Sequence, residues 1–188
     1  KNLKQNDTAT AGCELYLTKP LGVGMLTTAQ KKGILKPEHA QLAPQQMMQL
    51  NKIGADLGQL PQVKAMTDVT GFGLLGHLSE MCEGSNLAAD IYFDKVPVLP
   101  EALAYMAQKA IPGGTHRNFD SYGHKIAELT PKQKHLLCDP QTSGGLLVAV
   151  DPEGRDEVLA VFERHGLQLQ PFGVLKERGD NEKLIRVI

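Results

Sequence analysis

A carboxylate, two threonines and three glycines crowd into Thr67-Asp-Val-Thr-Gly-Phe-Gly-Leu-Leu-Gly76, a combination suited to phosphate chemistry. Magnesium prefers hard oxygen donors such as Asp68 and shares its remaining positions with a nucleotide's phosphates. Gly71 and Gly73 let backbone N–H groups approach an oxyanion. The apolar run from Leu74 to Met81 predicts a helix whose start adds partial positive charge. Together these features read as a metal–phosphate corner. Asp68 also has an ordinary reading, as a helix cap or turn residue. The spacing Gly71-x-Gly73-x-x-Gly76 matches a dinucleotide fingerprint, with Asp94 placed for a ribose contact. Against that, the preceding Lys64–Thr70 is polar where such a fold needs an apolar central strand.

Two further segments carry chemistry. Pro112-Gly-Gly-Thr-His-Arg-Asn118 joins backbone donors to a guanidinium and reads as a loop that grips an oxyanion or merely connects. Asp139-Pro-Gln-Thr-Ser-Gly-Gly145 reads as a tight turn entering a buried strand, with ligand contact as its alternative. Lys19, at the end of a predicted strand, could face phosphate, but a lysine there is ordinarily solvated, and that is the expectation. His77 and Glu80, three apart, are expected to form a surface pair or sit at a core edge. Cys13 has no nearby histidine to activate it and reads as structural. No Walker phosphate loop, nucleophile elbow or kinase signature is present.

The elements that must position these residues follow from periodicity. Strands are predicted at Glu14–Thr18, Val63–Met66, Leu87–Phe93, Leu146–Val150, Leu169–Leu175 and Lys183–Val187, the last two separated by 177–181. Helices are predicted at Leu21–Lys32, in a region that begins at Pro37 and carries one buried stripe of Met47, Met48, Leu50, Ile53 and Leu57 over Gln45–Leu57, and at Leu74–Cys82, Pro100–Ala110, Pro131–Leu137 and Pro152–His165, with a turn at 83–86 and a loop over 111–123. Helices and strands mix throughout, so the fold class is mixed α/β (α+β), with one mixed sheet flanked by helices. A net charge of -1, no Trp and 5% aromatics give neither a basic footprint nor stacking surfaces for nucleic acid. No apolar run reaches the length of a bilayer span. Three widely spaced cysteines suggest idle thiols in a reducing, cytoplasmic setting. The chain begins at Lys1 and reads as a piece of something longer: 1–12 as the flexible end of an interdomain linker, 13–188 as a C-terminal domain.

Four blocks in order, Leu17-Thr-Lys-Pro-Leu-Gly22, Thr67 to His77, Gly113-Gly-Thr-His-Arg-Asn118 and Cys138 to Gly145, resemble the selenophosphate synthetase (selenide, water dikinase) family. Single blocks also resemble the wider aminoimidazole ribonucleotide synthetase superfamily, whose C-terminal domain supplies the expected fold. The resemblance implies a magnesium-dependent reaction in which ATP, selenide and water give selenophosphate, AMP and phosphate. It aligns Asp68 with a magnesium-ligating aspartate of the C-terminal half. Thr67, Gly71, Gly73, Arg117 and Asn118 become the expected nucleotide contacts. The family's catalytic Cys or selenocysteine, its nearby Lys and most metal-binding aspartates lie on an N-terminal domain that this sequence lacks. Cys13 does not match that catalytic position. The chain alone is therefore expected to be inactive, and the full-length enzyme to be a homodimer. Another superfamily member acting on a purine intermediate or thiamine phosphate, or a scaffold domain without metal binding, are the competing readings.

Overall fold

The computed structural model describes residues 3–180 and 183–188. Its strands are β1 (Glu14–Leu17), β2 (Val63–Asp68), β3 (Leu87–Ile91), β4 (Leu146–Val150), β5 (Gly173–Glu177) and β6 (Ile185–Val187). They form one six-stranded sheet in the order β2-β4-β1-β5-β3-β6. All neighbours are antiparallel except β3 and β6, so the sheet is mixed, as expected. The helices are α1 (Val23–Lys31), α2 (Leu42–Met48), α3 (Ile53–Leu57), α4 (Gly73–Ser85), α5 (Pro100–Ala107), α6 (Gly113–Tyr122), α7 (Pro131–Leu137) and α8 (Arg155–Arg164). No helix among the described residues is long and apolar enough to cross a membrane.

The sequence of β4, Leu-Leu-Val-Ala-Val, explains the layering. All five residues are buried, the mark of a strand covered on both faces. Leu147 and Ala149 join a core with Leu74, Leu75 and Leu78 of α4. Leu146, Val148 and Val150 face the other way, onto Ile53 and Leu57 of α3 and Phe162 of α8. Strand β1 alternates likewise: Leu15 and Leu17 point to the α4 side, Tyr16 to α8. A third cluster pairs Met25, Leu26 and Ala29 of α1 with Ala102 and Tyr105 of α5. At the outer edge of β2, Met66 N–H donates to the Gln5 carbonyl at 3.1 Å and Thr8 Oγ1 to the Lys64 carbonyl at 2.6 Å. Residues 5–8 thereby occupy backbone groups that an open edge would leave unpaired.

Four expectations need correction. The single helix predicted over Gln45–Leu57 is two short ones, because Gln49 is extended (φ -66°, ψ 116°). Of its expected buried stripe, Met48 and Leu50 are 69% and 70% exposed, Met47 packs partly buried against the α1–α5 cluster, and Ile53 and Leu57 are buried. Residues 83–85 continue α4 instead of turning, and left-handed Asn86 (φ 55°) ends it. The predicted 111–123 loop holds α6, whose buried stripe Thr115, Asn118 and Tyr122 has helical spacing but no aliphatic residue. The strand predicted from Leu169 starts only at Gly173. Asn181, assigned to the last turn, lies outside the described residues.

Candidate functional site

Strand β2 ends at Asp68, in register with Leu146, the first residue of β4. Asp68 is exposed, and among the described residues no hydrogen bond or ion pair engages its carboxylate. It is not a helix cap. Helix α4 begins five residues later at Gly73, with Phe72 in the cap position and no side-chain cap bond. Thr67, the preceding strand residue, is half-buried opposite Leu147. The dinucleotide reading loses its strand as well: β2 is an antiparallel edge strand, whereas that fingerprint follows a parallel one.

The corner after β2 is held by the 139–145 turn. Val69 N–H donates to the Gly145 carbonyl at 2.8 Å, and Gln141 N–H to the Thr70 carbonyl at 3.0 Å. Two glycines make this approach possible. A Cβ on Gly144 would stand 2.1 Å from the Val69 carbonyl oxygen, and one on Gly73 2.8 Å from the Cys138 carbonyl carbon. Gly73 also has φ +70°. It is therefore buried in packing, whereas Gly71 faces open space with nothing within 4 Å of its Cβ position. Gly144→Ala should cost about 2–3 kcal/mol or more, because backbone must move to admit the methyl. Gly71→Ala should stay within about 0.5 kcal/mol. Urea midpoints of the two variants check this contrast.

Helix α6 docks on the same corner through polar groups. Asn118 Nδ2 donates to the Gly71 carbonyl at 2.8 Å and the Cys138 carbonyl at 3.1 Å. Tyr122 Oη donates to the Phe72 carbonyl at 2.6 Å. Asn118 is thus a brace whose amide nitrogen is already used. Arg117, one residue earlier, is exposed and unpaired among the described residues. Between the end of α1 (Thr27, Lys31), Gly71, the start of α6 (Gly113, Arg117) and Pro140 lies a polar cleft of about 500 Å³. Three of the five expected nucleotide contacts, Gly71, Arg117 and Asn118, line it; Thr67 and Gly73 do not, and neither does Asp68.

Two residues do more than their sequence context suggested. Lys19 is 3% exposed, not solvated. Its ammonium donates to the Gln49 and Ser143 carbonyls at 2.6 and 2.7 Å, with Gln46 at 3.4 Å, and burial lowers its pKa. Asp139 is completely buried. Its Oδ2 accepts from Gly24 N–H at 3.1 Å and Gln141 Nε2 at 2.7 Å, while Gln141 Oε1 accepts from Gly22 and Val23 N–H, both at 3.3 Å. A distant turn therefore caps the start of α1. Burial pushes the Asp139 carboxyl up to about 7, against the Gln141 and backbone donors that pull it down.

The remaining candidates are structural. His77, expected in a surface pair or at a core edge, is 7% exposed and so lies at the core edge, with Nε2 3.2 Å from Thr70 Oγ1. Its Nδ1 lies 3.3 Å from Glu80 Oε2 without the alignment of a hydrogen bond. Cys13, Cys82 and Cys138 are buried free thiols. No group of three or more His, Cys, Asp or Glu able to hold a metal occurs among the described residues. Asp68 offers magnesium the hard oxygen donor it prefers on an exposed, unengaged carboxylate.

Comparison with known proteins agrees with this architecture. Residues 10–185 match the family described as AIR synthase related protein, C-terminal domain. The selenide, water dikinase of Photorhabdus laumondii is 57% identical over 185 residues, covering 98% of this chain and 53% of that protein. The Pseudomonas putida enzyme of the same name is 61% identical over 178 residues, covering 95% and 52%. The chain thus spans about half the length of these relatives. Among solved structures, thiamine-monophosphate kinase from Stenotrophomonas maltophilia superposes with TM-score 0.66 at 16% identity, over 98% of this chain and 52% of its own. The hydrogenase maturation protein HypE of E. coli gives 0.65 at 22%, over 98% and 48%. At such identities these two speak for the fold alone. The match over 10–185 and the mixed sheet with its flanking helices place this chain in the AIR synthase related protein family, as the C-terminal domain.

Proposed function

We propose that this chain is the C-terminal half of an enzyme that makes selenophosphate from selenide, ATP and water, releasing AMP and phosphate. The observation that carries it is identity of 57% and 61% to selenide, water dikinases along nearly the whole chain. Identity this high preserves chemistry as well as fold, whereas the likeness to thiamine-monophosphate kinase, at 16% identity, is one of fold. Asp68 supplies one magnesium ligand, and its exposed, unengaged carboxylate supports that role. Bound there, magnesium would neutralise polyphosphate charge and orient the phosphates. The missing N-terminal domain brings the reactive Cys or selenocysteine and further carboxylates. Closure of two walls around the nucleotide would exclude water during transfer. The full-length protein is a cytoplasmic homodimer in this reading, and the 188-residue chain alone has no dikinase activity.

The test is product analysis with the full-length enzyme. Selenide-dependent conversion of ATP to AMP with selenophosphate, followed by phosphorus NMR, is the expected result. Formation of ADP, or turnover indifferent to selenide, sinks the assignment in favour of another ATP-using member of the family.

A further inference from the structure

Lys19 sits where a charge is hardest to keep. It is 3% exposed, and among the described residues no carboxylate pairs with it. Burying an ammonium without a counter-charge is unfavourable, and an apolar side chain of similar length would fill the same space more stably. What the charge supplies is direction. Its ammonium draws together the Gln49 carbonyl, just past α2, and the Ser143 carbonyl, in the turn before β4, at 2.6 and 2.7 Å. Ser143 is left-handed (φ 49°), a conformation that a residue other than glycine keeps only when its surroundings hold it. Asn51, in the loop before α3, adds a second hold: its Nδ2 donates to the neighbouring Gly144 carbonyl at 2.9 Å.

The turn held in this way sets the end of β2. Gly144 lies against the Val69 carbonyl oxygen, and the Gly145 carbonyl accepts from Val69 N–H at 2.8 Å. Val69 follows Asp68 directly and is completely buried. Strand β2 is an edge strand with β4 as its neighbour in the sheet. Among the described residues, the bonds that residues 5–8 make to its outer side end at Met66, two positions short of Asp68. At the level of Asp68 the strand therefore takes its position from the 143–145 turn. Gly145 closes the circuit, since a Cβ there would stand 2.3 Å from the Lys19 backbone nitrogen.

We propose that Lys19 is a positioning residue for the Asp68 carboxylate: by fixing the 143–145 turn, it fixes where the end of β2 presents that group. The consequence for metal binding rests on the magnesium reading given above. The consequence for the geometry of the corner does not.

Metal titration and hydrogen exchange of the full-length enzyme test it together. Lys19→Met should raise the magnesium concentration for half-maximal rate about tenfold, with a smaller loss, about twofold to threefold, at saturating magnesium. The dissociation constant of Mn2+, an oxygen-seeking substitute followed by water-proton relaxation, should rise by the same factor. Exchange of the Val69 amide should speed up about tenfold or more, while the Leu175 amide, bonded to the Cys13 carbonyl elsewhere in the sheet, stays protected and reports an intact fold. Combined with Asp68→Asn, Lys19→Met should add nothing to the metal midpoint, because a residue that acts through a carboxylate has no effect once the carboxylate is gone. Asn51→Ala, at a half-buried loop position, frees the same turn from one bond. It should move both readouts in the same direction by about threefold, and decides the question if Lys19→Met does not fold. An unmoved Val69 amide overturns the proposal, as do metal effects of Lys19→Met and Asp68→Asn that simply multiply. A midpoint moved by Asp68→Asn but not by Lys19→Met overturns it too, and leaves the magnesium reading standing. If Asp68→Asn itself moves nothing, the magnesium reading falls, and exchange at Val69 still shows whether Lys19 sets the corner.

Discussion

Asp68→Asn in the full-length enzyme should lower selenide-dependent AMP formation by about a hundredfold or more at limiting magnesium, equivalent to ~3 kcal/mol of transition-state stabilisation. The geometry isolates the effect. Asp68 is exposed at the end of β2, caps no helix and takes part in no side-chain bond among the described residues, so its charge is not spent on the fold. A substitution at such a place should change stability by no more than about 0.5 kcal/mol. Loss of activity with an unchanged melting curve therefore reports on the metal. Asparagine keeps an oxygen but not the charge, so the magnesium concentration for half-maximal rate should rise and part of the activity should return at high magnesium. Unaltered rate together with an unaltered magnesium midpoint would favour the scaffold reading.

The sheet and its covering were legible because their signals are local. Leu146–Val150 is a short apolar run bounded by Gly-Gly, and Glu14–Leu17 alternates as a half-shared strand should. Asp68 stands out by type in its ten-residue window, but its exposure at the end of β2 is set by the fold. Helix α6 was hidden for the opposite reason. Its buried face is Thr115, Asn118 and Tyr122, and it is anchored by hydrogen bonds to Gly71, Phe72 and Cys138, which no hydrophobic pattern records. Lys19 was misread because burial of an ammonium depends on carbonyls supplied from residues 46–49 and 143, far along the chain. The broken helix at Gln49 belongs to the same event: its carbonyl accepts from Lys19, and Asn51 donates to the Gly144 carbonyl at 2.9 Å. Long-range polar bonds won over local periodicity at both places. The cleft joins α1, the β2 corner, α6 and the 139–145 turn, segments that only the tertiary fold brings together.

Asp139 should give the largest stability effect of any side chain discussed, and a distinctive pH signature. Asp139→Ala removes the acceptor for Gly24 N–H and Gln141 Nε2 inside a fully buried pocket, leaving donors with no water to replace it. Lost capping and orphaned donors together should cost roughly 2–4 kcal/mol. Asp139→Asn keeps an acceptor of the same shape and separates charge from hydrogen bonding. The sign follows from linkage. In the unfolded chain this carboxyl titrates near its ordinary value, about 4. In the folded chain burial holds it up to about 7. Between those limits the folded form keeps a proton that the unfolded form releases, so its contribution is complete below about pH 4 and is lost as pH rises to about 7. The stability difference between the unsubstituted chain and Asp139→Asn should therefore shrink across that window, by at most about 4 kcal/mol, and level off above it. Paired urea unfolding curves from pH 4 to 8 measure it, with the subtraction cancelling every other titrating group. A difference that stays flat from pH 4 to 7 would mean that the carboxyl is ionised throughout. The N–H groups at the start of α1 would then outweigh burial, and the turn from 139 to 145 would hold a permanent negative charge beneath the floor of the cleft.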